Sequence, residues 1–271
     1  MILLEMLSYP FLARAMLVGI LVSLCAALLG TSLVLKRYSM IGDGLSHVGF
    51  GALAIASALG LAPLAVAVPV VVLSAVVLLR ISQTRSAIKG DAAVALISSG
   101  ALAIGILVIS LTSGANTNVS NYMFGSILTV SRADAVLSVA LCAAVIVCFT
   151  LLYPRIFAVT FDETFAKATG ARAGAYNMLL AILTAVTVVL GMRMMGALLI
   201  SSLIIFPPLA AMRVFRSFRS VTVCSAVISV VCFGIGMAAS YALETPSGAS
   251  VVCADIAAFA VFAAIGAASR R

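Results

Sequence analysis

The chain has 271 residues, of which 64% are hydrophobic and only 9% are charged. Soluble domains carry about 25% charged residues, so this composition excludes a water-soluble fold and indicates an integral membrane protein. The 16 basic and 8 acidic side chains give a net charge of +8, but no basic stretch is interleaved with aromatic residues, so no nucleic-acid partner is expected.

Long apolar stretches follow one another along the chain, and a helix needs about 20 apolar residues to cross the bilayer. Counting these stretches predicts an all-α, polytopic transmembrane helical bundle with eight or nine membrane spans, forming one transmembrane domain over residues 1–271. The predicted spans are Ala15–Leu35, Gly44–Leu59, Pro63–Leu79, Ala92–Thr112, Ala135–Tyr153, Ala173–Met192, Met194–Met212, Val221–Leu243 and Val251–Ala268.

Two of these spans are irregular. Gly44–Leu59 is short and carries His47, the only histidine of the chain. Met194–Met212 contains Pro207 and Pro208, which remove two backbone donors and are expected to kink or break the helix. Broken helices are therefore part of the predicted architecture.

The distribution of basic residues among the loops predicts the orientation of the chain in the membrane. Cytoplasmic loops of membrane proteins are enriched in Lys and Arg, and with an external N-terminus all but three of the 16 basic residues lie inside. The three are Arg14, Arg132 and Arg193, of which Arg193 is expected to extend outward to the interface. Ser113–Asn121 is expected to be an external loop, and the apolar segment Tyr122–Val130, too brief to span, a re-entrant helix.

The most informative residues lie at the start of the second predicted span, where Asp43 and His47 are four positions apart. On a helix the two side chains share one face. Ionisable groups in a membrane segment are costly and usually mark an ion or proton path, and a carboxylate with an imidazole suits a divalent transition metal. The alternative is that Asp43 caps the helix and His47 hydrogen-bonds locally. The spacing alone leaves both interpretations open.

One such pair supplies too few ligands for a tight metal site. If two copies of the chain meet around a central path, two Asp43 and two His47 side chains give a four-ligand set. Small residues let membrane helices approach closely, and the glycines near the pair are expected to do so: Gly42, Gly44, Gly49 and Gly51.

The longest loop on the predicted cytoplasmic side, Arg155–Arg172, contains a second candidate functional segment. Asp162 and Glu163 suit the start of a short helix, Lys167 suits its end, and Gly170 suits the left-handed residue that terminates it. A two-turn helix is therefore predicted here.

This short helix would carry Phe161 and Phe165 on one side. An apolar surface of this kind can dock in the groove of a partner. The alternative is an interfacial helix that buries its aromatic side chains among lipid headgroups.

Other residues are less informative. The six cysteines lie in apolar stretches without a C-x-x-C pair and are interpreted as buried hydrophobic residues. Asp255 is expected near the membrane interface with a local hydrogen bond, although a role in the path is the alternative. An intramembrane enzyme, with His47 as base and Asp43 as its orienting partner, would lack a convincing nucleophile because Ser46 points away from their helical face.

Four stretches resemble, in the same order, signature regions of the zinc/manganese/iron permease family of ABC importers: TSLVLKRYSMIGDGLSHVGFGALA, NYMFGSILTVS, FDETFAKATG and MRMMGALLISSLIIFPPLAA. The resemblance covers most of the chain, and the segment G-D-x-x-S-H is its most specific part. One departure is the pair Pro207 and Pro208, where the family is expected to have a single proline followed by a small residue.

The resemblance implies a type II importer permease, a multi-pass protein surrounded by the lipid of the bacterial inner membrane. It also implies that the complex contains two permease subunits, either two copies of this chain or this chain and a paralogue. Two cytoplasmic ABC ATPase subunits and an extracytoplasmic metal-binding protein would be its partners. The chain has no P-loop, so ATP would be hydrolysed by the partner and the chain itself would not be an enzyme. It would hold no covalent cofactor and would bind the transported ion (Mn, Zn or Fe) transiently, by alternating access. The alternative cargo is a metal chelate, haem or corrinoid.

The resemblance also assigns roles to individual residues. It implies that Asp43 and His47 are metal ligands in the translocation path. It implies that the segment 161–170 is the coupling helix, which contacts the ATPase through Phe161, Asp162, Glu163, Phe165, Ala166 and Gly170.

Overall fold

A computed structural model describes residues 9–83, 90–112 and 132–269. Within these ranges every regular element is a helix, which confirms the all-α prediction. The eleven helices are α1 (Pro10–Leu35), α2 (Ser39–Ala58), α3 (Pro63–Gln83), α4 (Gly90–Thr112), α5 (Arg132–Leu151), α6 (Tyr153–Phe161), α7 (Glu163–Ala168), α8 (Ala173–Met195), α9 (Ala197–Val214), α10 (Phe218–Leu243) and α11 (Ser247–Ala268). The predicted external loop Ser113–Asn121 and re-entrant segment Tyr122–Val130 lie outside the described residues.

Eight of the helices in the described ranges are long and apolar enough to cross a membrane: α1, α3, α4, α5, α8, α9, α10 and α11. The ninth predicted span corresponds to α2, whose glycines, serines, Asp43 and His47 lower its hydropathy. This helix is 20 residues long, or about 30 Å, and packs against α3, α4, α8 and α9. The predicted multi-pass bundle is confirmed, with a polar helix in its interior.

The helices divide into an inner and an outer group. The apolar windows of α1, α8 and α9 are 67%, 67% and 61% buried, whereas those of α4, α5 and α11 are 22%, 28% and 17% buried. The three inner helices pack against one another. The outer helices expose mainly aliphatic side chains, as hydrocarbon surroundings allow.

Glycines bring α2 close to its neighbours, as predicted. A Cβ added to Gly51 would lie 2.7 Å from the Ala101 carbonyl oxygen of α4, and one added to Gly105 would lie 2.9 Å from the Gly51 Cα. The two backbones are therefore in direct contact. Gly44 similarly faces Val94 of α4, and Gly49 faces Met192 of α8.

The predicted break at Pro207 and Pro208 is wrong, because α9 is continuous from Ala197 to Val214. Pro208 has no N–H to donate to the Ile204 carbonyl one turn earlier. That carbonyl oxygen instead lies against α1, where a Cβ added to Gly30 would be only 2.2 Å away. Both prolines are buried among neighbouring helices. This packing keeps α9 helical although two backbone N–H donors are missing.

The sequence did not predict a partner for Arg193. Its side chain is 24% exposed, and its guanidinium forms a bidentate ion pair with Asp134, with Nη1 3.0 Å from Oδ1 and Nη2 2.9 Å from Oδ2. Parallel N–H···O bonds of this kind are among the stronger polar contacts. The pair joins the end of α8 to the start of α5.

Candidate metal site

Asp43 and His47 share one face of α2, as their spacing predicts. Asp43 lies in the second turn of the helix, and the residue at the N-cap is Tyr38, without a side-chain capping bond. The capping interpretation of Asp43 is therefore wrong. The His47 Nε2 atom is 3.7 Å from the Asp43 Oδ2 atom, and the two side chains are 26% and 41% exposed in the isolated chain.

Both side chains line a cavity of about 380 Å³. Water in the liquid occupies about 30 Å³ per molecule, so the cavity has room for several waters beside an ion. Its walls come from α2, α9 and α11, and the lining residues are Asp43, Ser46, His47, Ala197, Leu198, Ser201, Ser202, Ile205, Phe206 and Val252.

Two serines of α9 belong to the site and were not singled out by the sequence analysis. The Ser201 hydroxyl lies 3.0 Å from Asp43 Oδ1 and 3.1 Å from the Ala197 carbonyl oxygen. Ser202 lines the same cavity and donates to the Asp255 carboxylate at 3.2 Å. Two adjacent serines in an apolar span could have been noticed in the sequence. Their carboxylate partners could not, because these lie 158 and 53 positions away.

Asp255 is not at an interface with a local partner, contrary to the expectation. It lies within α11, is 1% exposed and contacts Ser202 of α9. The helix begins eight residues earlier, at Ser247, so the carboxylate enters the bundle rather than remaining at the helix end.

The chemistry of the cavity suits a cation. None of the described residues that line it is Lys or Arg, so none of them competes for the carboxylate as a cation would. Carboxylate oxygen and imidazole nitrogen together are ligands for Mn, Fe and Zn. In the described part of the chain no group of three or more His, Cys, Asp or Glu side chains is close enough to hold a metal, so Asp43 and His47 have no third residue of these types beside them there.

The cavity is poorly arranged for nucleophilic catalysis. Ser46 lines it, but its hydroxyl donates to the Asp43 carbonyl oxygen at 2.7 Å. A serine nucleophile needs a base within hydrogen-bond reach, and here the hydroxyl is directed to the backbone. The intramembrane-enzyme hypothesis gains no support from this geometry.

The predicted two-turn helix is confirmed as α7. The Asp162 Oδ1 atom accepts a hydrogen bond from the Phe165 N–H at 2.9 Å and caps the helix. Gly170, at φ +84°, adopts the left-handed conformation that follows its end. Phe161 and Phe165 are exposed, whereas Ala166 is buried against the bundle.

A polar network ties α7 to the start of α2. Lys36, whose side chain is 9% exposed, donates to the Val159 carbonyl at 3.0 Å and to the Asn177 amide oxygen. The Asn177 amide donates to Glu163 at 2.9 Å, and Lys167 pairs with Glu163 at 2.8 Å. Since Lys36 lies three residues before α2, these contacts link α7 to the start of the helix that carries the cavity residues.

The charges of this network follow from its contacts. The hydrogen bond from Lys167 holds the pKa of Glu163 below its ordinary value, helped by Asn177 and by the charge of Lys36 and opposed by partial burial. Burial lowers the pKa of Lys36, and the Glu163 carboxylate partly offsets that effect. The lowered pKa of Glu163 keeps its carboxylate ionised near neutral pH, where it pairs with Lys167.

Comparison with known proteins places the whole chain beside metal transport permeases. The family model described as the ABC 3 transport family matches residues 8–266. The manganese import system permease protein ScaB of Streptococcus gordonii is 26% identical over 94% of this chain and 91% of that protein. The "Probable iron transport system membrane protein" of Haemophilus influenzae is 30% identical over 93% and 88%. Among solved structures, PsaBC from Streptococcus pneumoniae in complex with Fab matches with a TM-score of 0.85 and 27% identity, over 96% of this chain and 93% of that chain.

Proposed function

The chain belongs to the ABC 3 transport family, and from this premise we propose that its Asp43 and His47 bind a divalent transition-metal ion on its path through the membrane. The chain is a permease of an ATP-driven importer of such ions. The observation that carries the proposal is the pair itself: a carboxylate and an imidazole 3.7 Å apart on the wall of a cavity that no Lys or Arg lines. An ion of this class can exchange part of its water shell for these two side chains.

The incomplete ligand set supports a dimer around the path. One chain offers two ligand side chains, and transition-metal sites commonly use four. A second permease subunit, identical or a paralogue, facing the same path completes the set with a second Asp and His. In this arrangement an extracytoplasmic metal-binding protein delivers the ion from outside, and the paired permeases alternate between outward and inward access.

The energy comes from two cytoplasmic ATPase subunits that dock on the segment 161–170. Phe161 and Phe165 are 57% and 63% exposed in the chain alone, and large exposed aromatic side chains are typical anchors at protein interfaces. The network from Glu163 to Lys36 gives ATPase motion a connection to α2. Helix α7 is in this proposal the coupling helix.

The test compares Asp43→Asn and His47→Gln with Glu244→Gln, an exposed acid outside the cavity. Each variant is reconstituted in proteoliposomes with its ATPase and binding protein, and uptake of radioactive manganese is measured. We expect the two cavity variants to lose uptake while the subunits still co-purify, because both replacements keep the size of the original side chain and remove its charge or its ligand atom. Glu244→Gln should transport like the wild type. Normal uptake by both cavity variants would refute the site.

A further inference from the structure

Asp255 is a buried carboxyl group that the Asp43–His47 pair does not use. It is 1% exposed within α11. Its Oδ2 atom accepts the hydrogen bond from Ser202, and the Cys232 thiol of α10 lies beside it. Its Oδ1 atom is buried without a hydrogen-bond partner among the described residues. A carboxylate inside a membrane bundle is expensive unless it is paired or marks an ion path, and here the described part of the chain offers no cationic partner.

The position of Asp255 connects it to the cavity. Ser202 contributes to the cavity wall and bonds Asp255, and Val252, one turn before Asp255 on α11, lines the same cavity. The neighbouring residue Ser201 bonds Asp43. Two consecutive serines of α9 therefore each contact a carboxylate, one on α2 and one on α11. Ser202 therefore contacts both the Asp255 carboxyl group and the cavity where an ion would lie.

We propose that Asp255 and Ser202 form a second position for the transported divalent cation, beside the Asp43–His47 pair. The inference rests on the proposed ion path. The donors are a carboxylate with one free oxygen and a hydroxyl, and hard oxygen ligands of this kind suit Mn²⁺.

A cation at the proposed position would also offset the free-energy cost of burying the Asp255 carboxylate in the bundle. An ion held by Asp255 provides the positive charge that the bundle lacks at this point and a partner for the unsatisfied Oδ1. When the ion leaves, the Ser202 hydroxyl and the neighbouring Cys232 thiol remain as partners of the carboxyl group.

The experiment measures equilibrium binding of Mn²⁺ and of Zn²⁺ to the purified permease in nanodiscs, with metal content determined by mass spectrometry. The variants are Asp255→Asn, Ser202→Ala and Asp43→Asn, alone and combined, and Ser250→Ala of the same helix as a control. We expect Asp255→Asn to weaken Mn²⁺ binding about tenfold or more, the range seen when groups that support a metal site are removed. Zn²⁺ binding should weaken in the same direction, because carboxylate oxygen is also a ligand for Zn²⁺. Ser202→Ala, which keeps the acid, should weaken Mn²⁺ binding less than Asp255→Asn does.

The two proposals fail separately. If Asp43→Asn retains a Mn²⁺ affinity that disappears only when Asp255→Asn is added, the second position is supported. If Asp255→Asn binds both metals like the wild type, and melts at the same or a higher temperature, Asp255 is a structural hydrogen-bond acceptor and the inference is overturned while the Asp43–His47 site stands. If instead Asp43→Asn leaves binding and uptake intact, the proposed function fails, whatever the outcome at Asp255.

Discussion

The contact between α1 and α9 predicts a strong effect of the smallest possible substitution, Gly30→Ala. The added Cβ would lie 2.2 Å from the Ile204 carbonyl oxygen, whereas atoms in ordinary contact are about 3.5 Å apart. The obstacle is backbone, which cannot rotate away like a side chain. The two helices must therefore separate by roughly 1 Å at this point.

The magnitude follows from two opposing effects. Overpacking of this kind costs about 1–3 kcal/mol, and replacing Gly by Ala inside a helix returns up to about 1 kcal/mol. Gly234 of α10 provides the matched control, because nothing lies within 4 Å of a Cβ added there. Gly234→Ala keeps only the favourable propensity effect. We expect the two variants to differ in unfolding free energy by about 1–3 kcal/mol, with Gly30→Ala the less stable.

The displacement of α9 caused by Gly30→Ala should also affect the cavity. Ser201 lies one turn before Ile204 on α9, and its hydroxyl is 3.0 Å from Asp43. A displacement of about 1 Å takes that contact beyond the 3.2 Å limit of ordinary hydrogen bonds. Thermal melting in nanodiscs and metal uptake in proteoliposomes measure the two effects. Equal melting temperatures and equal uptake for Gly30→Ala and Gly234→Ala would show that the backbones do not meet as described.

Two further predictions concern the cytoplasmic segment. Phe165→Ser replaces a side chain that is 63% exposed, so the permease should melt as the wild type does but lose its ATPase subunit on co-purification; retention of the ATPase by this variant would contradict docking there. Glu163 has a pKa below its ordinary value of 4.5 because Lys167 donates to it, so its contribution to stability is present above pH 4.5 and is lost as the pH falls through the lower folded-state value. Acidification from about pH 6 to pH 3 should therefore lower the melting temperature of the wild type more than that of Glu163→Gln, and parallel curves would contradict this assignment.

The features predicted correctly from the sequence are local ones. The apolar stretches mark the spans because lipid requires them. Asp43 and His47 share a face because a four-residue spacing does so on any helix, and the caps at Asp162 and Gly170 depend only on neighbouring backbone. Each follows from residues within one or two turns.

The features missed depend on partners distant in sequence. The ion pair of Arg193 was not predicted because its partner, Asp134, is 59 positions away. Asp255 was expected at the interface because nothing nearby in sequence indicates that Ser202 meets it. Continuity of α9 through two prolines likewise depends on the helices packed around it rather than on its own propensity.

The polar, glycine-rich character of α2 has a consequence for how the chain is made. This helix is the one span of the sequence count that falls short of the apolarity of the other eight, and its closest backbone partner is α4, which is synthesised later. On its own, α2 has little free energy to gain by leaving water for lipid. Stable insertion of α2 must therefore await α4, and in nascent chains that end before Gly90 a cysteine placed within α2 should still react with a water-soluble thiol reagent.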